Sequence, residues 1–169
     1  ATASQWLGDF ESAIETSRLG LETTGHRILI AMLVNSLVGA GHFEEATTII
    51  EREYRTESGQ LIRLLKAAAA QGDESTTKAL LAEYESVATG RSSLMIAAAV
   101  AGQREMANEI AAAIDSAPFG YLNLIRALHS CTCGAPFDLE AVPGFAERIA
   151  DAELSWPPLS PMNWPLKDW

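Results

Sequence analysis

The sequence predicts an all-α fold, a right-handed α-solenoid of short antiparallel helix pairs that ends in a proline- and tryptophan-rich tail. Three observations predict it. Helix formers dominate the apolar residues, with alanine runs at 67–70, 97–99 and 111–113, and no β-branched stretch alternates with period two. A short phrase recurs, Gly8-Asp9-Phe10-Glu11-Ser12-Ala13 and then Gly41-His42-Phe43-Glu44-Glu45-Ala46, with weaker copies starting at Gly72 and Gly102. The glycines at 8, 41, 72 and 102 stand 33, 31 and 30 residues apart, the period of helical-pair repeats. Third, apolar triplets recur at i, i+1 and i+4, the spacing of one helical face: Leu33, Val34, Leu37; Leu64, Leu65, Ala68; Leu94, Met95, Ala98.

Each residue of the phrase has a mechanical reading. Glycine ends a helix by taking the left-handed conformation without a Cβ clash. The residue after it, most clearly Asp9 and Asp73, can cap the next helix, whose dipole suits the acidic residues of its first turn. The aromatic anchors that helix, and the small residue lets it approach its partner. Helix pairs are therefore predicted at residues 23–39 with 43–56, 60–71 with 74–88, and 92–101 with 105–116. A further helix over 121–130 carries Leu124, Ile125 and Leu128 in the same phase. Because Gly8 already belongs to a turn, residues 1–7 read as the end of a helix, and the chain is expected to be a portion of a longer protein.

With its Gly, aromatic, Ala phrase at the turn, the stretch 1–130 resembles tetratricopeptide repeats, a family whose first helices carry a large-small-aromatic set, the first repeat here being truncated. Glu74 and Arg104 depart from the family's aromatic, and Val34, Leu65 and Met95 from its small residue, which keeps other helical-hairpin repeats in play. The resemblance implies a module that holds a protein or peptide on the concave face lined by first helices, as part of a larger bacterial protein. On that face it places Asn35, Arg63, Lys66, Ser92, Ser93 and Arg126. The Lys and Asn set with which chaperone-binding members clamp a peptide carboxylate is present only in scattered form.

Residues 131–169 change in character. Cys131 to Pro136 is a turn-rich break, and a short helix over 143–152 with Pro143 in its first turn is expected to close the array. The tail from Trp156 to Trp169 holds four prolines and three of the four tryptophans, so it cannot form a continuous helix. It is expected to fold back as a cap or an internal ligand, with a docking motif for an outside partner as the alternative.

The chain has 22 acidic and 12 basic residues, a net charge of −10, and no Lys/Arg cluster of the kind that neutralises phosphates. Nucleic acid is not an expected partner. The longest apolar stretch, 28–34, is far too short to span a bilayer, so no membrane insertion is expected. No export pattern precedes the first helix, which favours the cytoplasm while leaving the periplasm open. His129, Cys131 and Cys133 offer three soft ligands without a fourth, and the two cysteines are too close in sequence for an unstrained bridge, so free thiols and no metal site are expected. His26 and His42, near helix starts, read as solvated or capping. No serine elbow, His-Glu-x-x-His, phosphate loop or dinucleotide fingerprint occurs, so neither an enzyme nor a cofactor is expected. The function read from the chain is a helical-repeat interaction module. The alternatives are the recruiting or oligomerising region of an enzyme whose catalytic domain lies elsewhere, and a small-molecule sensor.

Overall fold

A computed structural model describes residues 4–5, 7–130 and 134–156, apart from the side chains of 129 and 130. The cysteines at 131 and 133, His129 as a ligand and the tail 157–169 therefore lie outside the described residues. Among the described residues the fold is all-α: α1 (Phe10–Thr24), α2 (Ile28–Gly39), α3 (Phe43–Glu53), α4 (Glu57–Gln71), α5 (Glu74–Val87), α6 (Arg91–Val100), α7 (Arg104–Asp115), α8 (Gly120–Ser130) and α9 (Pro143–Asp151), with one 3₁₀ turn at Leu139–Ala141.

The recurring glycines punctuate the chain as predicted. Gly8, Gly41, Gly72 and Gly102 all take positive φ, between 72° and 81°. At each, the N–H of the following residue reaches back five positions, from Asp9 to Ser4, His42 to Leu37, Asp73 to Ala68 and Gln103 to Ala98, in 2.8–3.0 Å bonds that satisfy last-turn carbonyls. Asp9 and Asp73 then cap the next helix by accepting from the N–H of Ser12 and Thr76. Four copies of one hydrogen-bonded turn make the repeat visible in the backbone.

Successive helices pack against their neighbours. α1 and α2 run antiparallel: a Cβ on Gly39 at the end of α2 would strike the Phe10 ring at the start of α1, and one on Gly20 would strike Leu29. The first helices α2, α4, α6 and α8 also touch one another in succession, whereas no comparable contact joins α3 to α5 or α5 to α7 among the described residues. The first helices thus form one layer, and the second helices α1, α3, α5 and α7 stand outside it.

Burial divides into two cores. One gathers Ile14, Leu33, Val34, Leu37, Val38, Ile49 and Ile50 with Ala67 and Ala70 of α4. The other runs from Leu61 and Leu65 of α4 through Tyr84, Met95 and Leu124 to Phe137, Val142 and Phe145. The segment after residue 134 therefore belongs to the same core as the last repeats. Polar contacts fasten it as well. Arg104 donates from Nε and Nη2 to the two carboxylate oxygens of Asp138 at 2.6 Å each, while Asn108 donates to Asp138 Oδ2 and accepts from its N–H. Asp115 accepts from the N–H of Gly144 at 2.8 Å, capping α9 from another helix, and Arg148 lies over the Tyr121 ring.

The Arg104 hydrogen bonds, helped by Asn108, hold the Asp138 carboxyl below its usual range against a smaller opposing effect of burial. A depressed carboxyl contributes stability above the unfolded value of about 3.9 and loses it as pH falls through the folded value. Urea midpoints compared at pH 6 and pH 3 are expected to fall further for the wild type than for Asp138→Asn. Equal falls would show that the clamp carries no linkage.

Several boundaries differ from the sequence reading. The helix expected over 23–39 begins only at Ile28, because Gly25 takes φ 63° and donates to the Leu21 carbonyl, ending α1 first. α3 stops at Glu53 rather than 56, since Tyr54 turns extended. Ile125, in phase with the buried triplets, is 50% exposed beside exposed Phe119 and Leu122. No further first helix follows α8 among the described residues to cover that side.

Candidate partner-binding face

The six residues expected on the first-helix face sit on the first-helix layer: Asn35 on α2, Arg63 and Lys66 on α4, Ser92 and Ser93 on α6, Arg126 on α8. On α4, Gly59, Ile62, Arg63, Lys66 and Ala69 form a stripe at helical intervals, in which Ile62 and Ala69 pack against the second core. Every residue of that stripe is half-buried. Tyr54 covers Arg63, and a Cβ on Gly59 would meet the Thr56 and Tyr54 side chains.

Arg63 is held in place from two sides. Its guanidinium stacks over the Tyr54 ring at 3.8 Å, and Nη1 donates to the Gly59 carbonyl at 2.9 Å. One turn on, Lys66 is half-buried and has no hydrogen-bond or ion-pair partner among the described residues. Burial, with the neighbouring Arg63 charge adding, pushes its ammonium down to about 8, which leaves it a cation at neutral pH. Asn35, Ser92 and Ser93 are half-buried, and Ser93 donates to the Gly90 carbonyl at 2.7 Å. Arg126 is exposed.

Charge is divided between the two sets of helices. α1, α3, α5 and α7 hold thirteen acidic residues against four basic ones, whereas α2, α4, α6 and α8 hold a single acid, Glu57, against Arg63, Lys66, Arg91 and Arg126. Pairing follows the same division. Arg18, Arg52 and Arg104 of the second helices meet Glu45, Glu53 and Asp138 within 2.7 Å, but no basic residue of the first helices pairs with a carboxylate among the described residues.

Tyr54 is the neighbour of Arg63 that sequence reasoning missed. It lies beyond the end of α3, and no periodicity places it under Arg63. The histidines are peripheral: His42 Nε2 stands 3.3 Å from Glu11, and His26 Nδ1 accepts from the N–H of Ile28 at 3.4 Å. Among the described residues no three His, Cys, Asp or Glu side chains converge as metal ligands, and no helix is long and apolar enough to cross a membrane. No protein-family model matches the chain, and neither the curated proteins nor the solved structures contain a match.

Proposed function

We propose that the chain is a non-catalytic, tetratricopeptide-like scaffold, coiled as a right-handed solenoid, that binds a protein or peptide on its first-helix layer and serves as the interaction region of a larger bacterial regulatory or assembly protein. One observation carries the reading: four first helices touch in succession, and each carries at least one half-buried or exposed polar side chain, from Asn35 on α2 to Arg126 on α8. Lys66, sheltered and without a partner among the described residues, keeps its donors available, and a surface crossing several helices is the form in which helical arrays present extended binding surfaces.

The test is selection of a random dodecapeptide library on the full chain, followed by hydrogen exchange on the bound state. Bound peptides are expected to slow exchange in α2, α4, α6 and α8 and to leave α1, α3 and α5 unchanged. Failure to select any peptide, or protection confined to the second helices, would overturn the reading.

A further inference from the structure

We propose that the partner segment is acidic, and that its carboxylates seat on Arg63 and Lys66 of α4, with Arg91 of α6 and Arg126 of α8 extending the site. This rests on the scaffold reading and adds the chemistry of what is held.

Charge is unevenly placed on the molecule. In a chain of net charge −10, carboxylates are plentiful enough to pair every cation, and three of the four basic residues on the second helices are indeed paired. On the first helices no basic residue is paired among the described residues, although two of them, Arg63 and Lys66, sit one turn apart on a sheltered stripe. Two adjacent cations repel each other, and shelter from water strengthens that repulsion. An incoming carboxylate relieves it.

Geometry points the same way. Stacking on Tyr54 and the bond to the Gly59 carbonyl fix the Arg63 guanidinium before any ligand arrives, so less conformational freedom is lost on binding. Asn35 on α2 and Ser92 on α6, the helices on either side of α4, add neutral groups that can donate to a carboxylate or a peptide carbonyl. The first helices carry one acid, Glu57, in the exposed first turn of α4. The thirteen acids of the second helices repel an acidic segment from their side, which makes the first-helix layer the more favourable approach. Four helices at spacings of about 8–10 Å span roughly 25–30 Å, which about eight to nine extended residues would cross. A duplex nucleic acid, by contrast, would bring a dense phosphate backbone against a body of net charge −10.

The experiment measures fluorescence anisotropy of peptides selected from a dodecapeptide library of balanced composition on the full chain. Selected peptides are expected to be enriched in Asp and Glu, and to weaken about tenfold or more in the Arg63→Gln/Lys66→Gln variant and on raising salt from about 50 to 300 mM. They should bind unchanged in Lys78→Gln, which alters an outer-layer cation. Ser92→Glu, which adds a carboxylate to the strip and removes no cation, is expected to weaken them as well, so the test survives poor folding of the double variant. Selected peptides of neutral composition overturn the acidic assignment and leave the scaffold reading standing. Selection of no peptide overturns both. Acidic peptides indifferent to all strip variants overturn the site, and equal competition by a single-stranded oligonucleotide overturns the polypeptide class. Binding that appears only after removal of residues 157–169 assigns the strip to the chain's own tail and overturns an outside partner.

Discussion

Gly120→Ala is expected to destabilise the chain by about 3 kcal/mol, the cost of forcing extra bulk into a packed site. A Cβ at position 120 would lie 1.8 Å from the carbonyl oxygen of Ile114 and 2.8 Å from its carbon. Those are backbone atoms, so no side chain can rotate away, and the end of α7 must move relative to the start of α8. The movement does not stay local. Asp115, next to the clashing carbonyl, accepts from the Gly144 N–H that starts α9, so displacing α7 also loosens the closing helix. For a chain of this size the melting temperature is expected to drop by roughly 6–12 °C. A loss below about 1 kcal/mol in urea denaturation would show that the α7–α8 turn relaxes freely.

Phe137→Ala is expected to cost about 3–5 kcal/mol, the usual range for truncating a buried aromatic. Phe137 is 2% exposed and meets two other rings: Phe145 edge-on at 5.9 Å and Trp156 stacked at 5.5 Å. Phe145 and Trp156 are themselves 6.2 Å apart and edge-on, so the three rings form one closed cluster at the end of the second core. Removing the central ring leaves a cavity and uncovers Trp156. Urea midpoint and tryptophan emission should shift together, with Phe137→Leu intermediate. A near-wild-type midpoint with a changed emission would place the cluster outside the cooperative unit.

The repeat was legible because its signal is local. Gly41, Gly72 and Gly102 each stand two residues before the next helix begins, and Asp9 and Asp73 cap as their position after the glycine implied. What misled was glycine used for a second purpose. Gly20 lies inside α1 and Gly39 ends α2 because Leu29 and Phe10 approach them closely, while Gly25 is the residue that breaks the chain. Three glycines of one residue type thus do different work, and only the packing tells them apart. Ile125 misled for a related reason: its phase was right, but burial depends on a neighbour that the phase does not report. On the candidate face the residues Asn35 to Arg126 could be placed on their helices from spacing alone. The division of charge was countable too, once helices were assigned. The Tyr54 platform under Arg63 was not, since it depends on the extended backbone at Tyr54 after α3.

The meeting of the two cores on α4 has a mechanical consequence. To the first core that helix contributes Ala67 and Ala70, with Leu64 half-buried beside them, while its longer buried side chains, Leu61 and Leu65, belong to the second. On the first-core side the contact is made through methyl groups, and it is fastened by the Arg63 guanidinium over the Tyr54 ring and by Gln60 Nε2 donating to the Glu51 carbonyl at 3.2 Å. Asn35 stands on a helix of the first core and Ser92 on a helix of the second. How α4 seats on α2 and α3 therefore sets the separation of the two.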